Sequence, residues 1–208
     1  MSLNINTELL ENEEFYKNLN KRFLVTPDDY IGSPYVNPNY KHRLPELQRG
    51  AFDIQKIIIH CTATDSQKWD DAETCINYDL NPNHISRSGC PTCTYHFYVD
   101  QDGGVDQLVS AYIKTWNCKG HNNDSIAICI NHGGEADDVI EDAQYKALVD
   151  TICHVIDFMD WSYNRETLDD VLFFHHDFSN KLCPGVNLDK ETLIKDVLNN
   201  LQTWGDNV

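Results

Sequence analysis

The sequence predicts an α/β fold: a single domain on a central mixed β-sheet flanked by helices, preceded by an N-terminal helical extension. Two observations carry the prediction. Short β-branched or aromatic runs recur at 56–61, 125–130 and 171–174, nearly continuous in apolar character, as expected of strands buried on both faces. Segments of helical period alternate with them, and histidines stand at two of the strand ends, so side chains from different strands can converge at one sheet edge.

Taken in order, residues 1–24 place Leu9, Tyr16, Leu19 and Phe23 on one helical face. Residues 25–50 hold Pro27, Gly32, Pro34, Pro38 and Pro45 with Tyr30, Tyr35 and Tyr40 between them, the composition of an extended strap lying on a surface. The division is therefore 1–50 for helix and strap and 51–208 for the compact domain. After the first strand, a helix capped by Asp70 or Asp71 runs to about Tyr78 and is broken by Asn81-Pro82-Asn83. The segments 94–100 and 105–109, joined through Gly103-Gly104, read as a β-hairpin. Residues 142–159 carry Tyr145, Leu148, Val149, Ile152, Val155, Ile156 and Met159 at helical spacing, a helix that covers the sheet. A last strand over 171–174 and a last helix over 188–201 complete the chain.

Bulk properties narrow the function. The 208 residues carry a formal net charge of −17, with 33 acidic against 16 basic residues and no basic block. Phosphate-driven nucleic-acid binding is disfavoured, although Lys119 or Lys181 can each meet a single carboxylate. No run reaches the roughly 20 apolar residues of a membrane span. The first residues lack the basic and apolar regions of a secretory signal, so synthesis in the cytoplasm is expected. Eight cysteines, at 61, 75, 90, 93, 118, 129, 153 and 183, do not have the spacing of a small disulfide scaffold.

The stretch from Val171 to Gly185 holds the clearest chemistry. It brings His175, His176 and Cys183 close in sequence, and imidazole with thiolate suits zinc. His60, closing the first strand, is the natural further ligand; three ligands leave a fourth position for water, as a catalytic zinc requires. A strand-end histidine is otherwise usually a hydrogen-bonded structural residue, and the second cluster shifts that balance. Cys90-Pro91-Thr92-Cys93 is a lone CxxC, expected as a local disulfide or free thiols. A second zinc would need two more ligands, for which Cys75, Cys118 and His84 are the nearby residues.

Four separated motifs now stand in order: Ile59-His60-Cys61-Thr62-Ala63-Thr64; Tyr95-His96-Phe97 leading to Asp102-Gly103; Lys119-Gly120-His121-Asn122-Asn123-Asp124-Ser125-Ile126-Ala127-Ile128-Cys129; and His175-His176-Asp177 through Lys181-Leu182-Cys183-Pro184-Gly185. Over residues 54–203 the chain resembles the zinc-dependent N-acetylmuramoyl-L-alanine amidases of the type-2 family, which share a fold with peptidoglycan recognition proteins, and especially the phage amidase-type lysozymes. The resemblance implies one Zn²⁺ per chain on His60, His175 and Cys183. It selects His175 over His176 and leaves His176 as a neighbouring or exposed residue.

By the same resemblance Tyr95 and Lys181 assist catalysis. Alone they would read as a sheet aromatic and a solvated loop residue. In amide hydrolysis a lysine can stabilise the carbonyl oxygen's developing charge, while a tyrosine hydroxyl orients or deprotonates the water. The implied substrate is the amide between the lactyl group of N-acetylmuramic acid and the first L-alanine of peptidoglycan. Asn117, Gly120, Asn122 and Asn123 are candidates for the substrate groove, and the insert 65–94 for a specificity loop. The chain departs from the phage pattern at Asn117, where those enzymes carry histidine, and at Ala127, usually glycine; both departures bear on substrate binding.

Two rivals accompany this expectation. A non-catalytic peptidoglycan-binding module of the same fold commonly lacks the cysteine ligand, which Cys183 supplies here. A cysteine peptidase using Cys61 or Cys183 would need an exposed thiol at a helix start, whereas Cys61 sits in strand context and Cys183 precedes Pro-Gly. A monomer acting on the cell wall after release or delivery is the corresponding expectation.

Overall fold

A β-branched run with no polar break forms strand β1, Lys56–Cys61, in which Ile57 to Cys61 are all buried. The computed structural model describes residues 37, 39–40, 46–64 and 71–205; the helix expected over 1–24 and most of the strap lie outside these. Helix α1, Ala72–Leu80, follows, its N-terminus capped by Asp71, whose carboxylate accepts from the Thr74 amide at 2.6 Å. Strands β2, Phe97–Val99, and β3, Val105–Gln107, form the expected antiparallel hairpin. Then come β4, Ser125–Ile130, helix α2, Asp142–Phe158, helix α3, Arg165–Val171, strand β5, Leu172–Phe174, and helix α4, Lys190–Gly205.

The five strands lie in the order β3-β2-β4-β1-β5. Every neighbouring pair is parallel except β2 with β3, so the sheet is mixed. Its two faces are buried differently because side chains alternate along a strand. One face presents Ile57, Ile59, Phe97, Ile126, Ile128 and Phe174 to the apolar sides of α2 and α4, including Leu148, Ile152, Ile194 and Val197. The other presents Tyr98 and Cys129 to Ala72, Cys75 and Ile76 of α1. No described helix is long and apolar enough to cross a membrane.

Two sequence expectations need correction. Val171 belongs to α3 rather than to the last strand, and α3 itself was not foreseen. The last helix begins at Lys190, although Leu188 before it is buried as the pattern requires. Residues just before 51 bond to the sheet-bearing part of the chain. The Arg49 amide donates to Tyr112 O at 2.9 Å, its Nε donates to Ala111 O at 2.8 Å, and Gln48 bridges Ile113. Burial lowers the Arg49 pKa to about 10, against the opposing charges of Asp124 and Asp53. Of the strap, residues 37, 39–40 and 46–50 are described, and 39–40 and 46–47 are 3-10 turns rather than extended chain. Asn37 is buried and donates to Ser88 O and Cys90 O at 2.6 and 3.0 Å, and Tyr40 packs edge-on against Trp116.

Candidate metal centre and cleft

Parallel register builds the centre. Ile59 of β1 is level with Phe174 of β5, so the next residues, His60 and His175, leave adjacent strands side by side with ring centroids 4.5 Å apart. Strand β5 ends at Phe174, and His175–Asp177 is a 3-10 turn closed by the Phe174 amide donating to Asp177 Oδ2 at 2.9 Å. The turn, rather than strand alternation, separates the two histidines. His175 is buried, whereas the His176 side chain is 42 % exposed and stands 3.9 Å from Asp177. The His176 amide donates to Cys183 O at 2.9 Å, folding the polar loop back so that Cys183 arrives beside His60.

His60, His175 and Cys183 offer ligand atoms all within 4.8 Å of one another. The Cys183 Sγ to His60 Nδ1 separation is 3.7 Å. Tetrahedral bonds of 2.3 Å to sulfur and about 2.0 Å to nitrogen span an edge of about 3.5 Å, so the trio fits a zinc-sized ion. Among the described residues, His60 Nε2 is buried with no partner at hydrogen-bond geometry. Burial, then His175, holds the His60 pKa well below its ordinary value, and Asn117 opposes this. Burial, then Lys181, brings His175 to about 4. Both imidazoles are therefore neutral near pH 7, the form that can donate a lone pair. The Cys183 thiol is pushed up by its hydrogen bond with Cys61 and by burial. A buried thiolate here calls for a cation.

The trio opens on a cleft of about 570 Å³. Tyr95 lines it with its ring 5.2 Å from that of His60, and exposed Lys181 lines it from the returning loop. Burial, followed by the neighbouring Cys129, raises the Tyr95 pKa well above 10, so its hydroxyl stays protonated. Of the four groove candidates only Asn117 lines the cleft. It is tied back by donating to Thr115 Oγ1 at 3.0 Å and accepting from Ser125 Oγ at 3.3 Å. Gly120, Asn122 and Asn123 are outside the lining, and Gly120 and Asn123 are exposed. Asn122 Oδ1 accepts from the Cys118 amide at 2.9 Å, and the Asn122 and Asn123 carbonyls accept from Arg49.

Several lining residues carry no groove signal of their own in the sequence. Trp116, Cys118 and Phe178 form part of the wall, and Lys119 joins them as a cation. Tyr78, Asp79, His84 and Ile85 reach it from the insert proposed to set specificity. Trp116 was legible only as an aromatic just before the third motif. His84 and Ile85 gave no periodic signal.

A mixed sheet with two imidazoles and a thiol meeting where neighbouring parallel strands end, above an open cleft, defines a protein of the amidase and peptidoglycan-recognition architecture. The family profile described as N-acetylmuramoyl-L-alanine amidase matches residues 50–186, and the chain belongs to that family. Among solved structures it is similar to the N-acetylmuramoyl-L-alanine amidase LysC from Clostridium intestinale URNW, at 21% identity and a TM-score of 0.52, covering 72% of this chain and 87% of that one. It is also similar to the Ph2119 endolysin from Thermus scotoductus MAT2119 bacteriophage Ph2119, at 20% identity and a TM-score of 0.53 over 72% and 88% of the two chains. Drosophila peptidoglycan recognition protein SA gives 22% identity and a TM-score of 0.53 over 67% and 77%. At these identities the likeness establishes the fold. No curated protein sequence matches the chain significantly.

Proposed function

We propose that this protein is a zinc-dependent N-acetylmuramoyl-L-alanine amidase that hydrolyses the amide between N-acetylmuramic acid and the L-alanine of the stem peptide. The observation that carries the reading is the convergence of His60, His175 and Cys183 at a cleft that Lys181 and Tyr95 also line. Cys183 favours catalysis over a purely binding role, because it completes a three-ligand set with room for water.

His60, His175 and Cys183 would hold the ion, which would supply Lewis-acid chemistry, acidifying water to about pKa 7 and polarising the scissile carbonyl. Neutral His60 and His175 present lone pairs without losing a proton first. The Lys181 ammonium stabilises the negative charge that develops on the carbonyl oxygen. Protonated Tyr95 donates a hydrogen bond that orients the attacking oxygen, and the raised pKa of its hydroxyl disfavours a role as base. Trp116 offers an apolar surface, and Lys119 a cation, for the glycan or the acidic stem peptide. The protein acts as a monomer on the cell wall after release or delivery.

Digestion of purified peptidoglycan, read by mass spectrometry with and without chelator, tests the proposal. Free stem peptides beginning in L-alanine, lost on chelation, are expected. Fragments that merely co-sediment with the protein, uncut, would replace the amidase by a binding module.

A further inference from the structure

Helix α1 carries Cys75 and Asp79 four residues apart, hence on one face, and that face is buried. Cys93 reaches the same point from the segment that leads into β2, and it too is buried. We propose that Cys75, Asp79 and Cys93 form a second cation site, for a zinc-class divalent ion, which clamps α1 to the segment carrying Tyr95.

The three residues offer ligand atoms all within 4.8 Å of one another. Cys93 Sγ lies 3.3 Å from Asp79 Oδ2, close to the edge of about 3.5 Å that tetrahedral metal–sulfur and metal–oxygen bonds span. Asp79 Oδ2 also accepts from the Thr94 amide at 2.8 Å and from Thr94 Oγ1 at 2.7 Å. These are neutral donors. Among the described residues no lysine, arginine or histidine forms an ion pair with this buried carboxylate, and an unpaired buried charge is costly. A divalent cation would balance it.

The donor set selects the ion. Two thiolates with one carboxylate suit borderline-soft zinc, whereas magnesium and calcium take oxygen shells. Cys90, three residues before Cys93, is not one of the converging ligands and instead holds the segment in place. It is buried, and its amide donates to the Asp79 carbonyl at 2.9 Å. Cys75 and Asp79 also line the cleft, which gives an ion a path in. All these cysteines are free thiols in the structure. Cys93 stands two residues before Tyr95, so an ion here would hold the cleft wall on which Tyr95 is carried.

Zinc per chain and intact mass, measured on the full-length protein purified under reducing conditions, test the site. Wild type is expected to hold two zinc ions, Cys183→Ala one, and Cys75→Ser with Cys93→Ser one. A single zinc that survives Cys183→Ala but is lost in the Cys75/Cys93 variant would still support this site while removing the first. One zinc in wild type and none in Cys183→Ala would overturn it. So would a mass short by two hydrogens with a mapped Cys75–Cys93 disulfide. Because Cys183→Ala leaves α1 untouched, the site stays testable even where the double variant fails to fold.

Discussion

The Cys61 backbone amide donates to Cys183 Sγ at 3.2 Å, so the strand that carries His60 also steadies the sulfur that meets it. An amide aimed at a ligand sulfur fixes its orientation and favours the thiolate. Cys183→Ala removes that sulfur at a buried position while leaving the strand pairing intact. The variant is expected to lose the bound zinc of this centre and all hydrolysis, and to keep its circular dichroism spectrum at a cost of about 1 kcal/mol in stability. His60→Ala should behave alike, and metal analysis beside a peptidoglycan turbidity assay reads both.

Lys181 is exposed and lines the cleft without belonging to the ligand trio. Lys181→Ala should therefore retain the metal and lower kcat by about 10²–10³, the usual effect of removing one oxyanion-stabilising group. Loss of metal in this variant would instead mark Lys181 as part of the centre's scaffold.

Tyr95→Phe removes only the hydroxyl and keeps the ring that packs 5.2 Å from His60. If the hydroxyl orients the water, kcat falls about 10²-fold with KM nearly unchanged. Because its pKa is raised, the acidic limb of the pH–rate profile should keep its position in the variant. Displacement of that limb would show that Tyr95 itself titrates during turnover.

What was legible in the sequence follows from which physical signals are local. β1 and β4 were readable because strands covered on both faces need continuous apolar runs, and His60 marked where the first of them stops. The α3 helix was not, since Leu168 is its only buried residue and so no apolar stripe runs through it. The separation of His175 from His176 depends on a 3-10 turn closed by Asp177, a contact that strand periodicity does not encode. Asn122 looked like a groove residue by position, but its side chain satisfies the Cys118 amide. Arg49 fell outside the expected domain because its partners are carbonyls some 60–75 residues away in sequence.

Gly185 closes the loop that presents Cys183. Its φ of 114° is unfavourable for other residues, and a Cβ there would stand 2.6 Å from Gly134 Cα, backbone that cannot swing aside. The Val186 amide donates to Gly134 O at 3.2 Å and pins the two segments together. Gly185→Ala should thus push the Cys183 loop outward, costing about 1–3 kcal/mol in urea unfolding and weakening zinc retention against a chelator. Unchanged stability with unchanged metal content would mean that the loop yields without moving the sulfur.

His96 makes stability depend on pH. Its Nδ1 accepts from the Ala127 amide at 2.9 Å, so the proton is assigned to Nε2, which donates to Ile113 O at 2.9 Å. Arg49 stands 3.0 Å from the same Nε2. Protonating Nδ1 would break the bond from β4 and set a second cation beside the guanidinium. Burial, then Arg49, accordingly holds the pKa well below 6.5. In the unfolded chain the imidazole binds its proton near pH 6.5, so unfolding takes up a proton below that pH. The contribution of neutral His96 is thus fully present above about pH 6.5 and is lost as pH falls toward the folded value. His96→Gln can keep both hydrogen bonds without titrating. Between pH 6 and 5, its unfolding free energy should fall less steeply than that of wild type, by up to about 1.4 kcal/mol per pH unit. The same slope in both proteins would show that His96 is not the group that titrates.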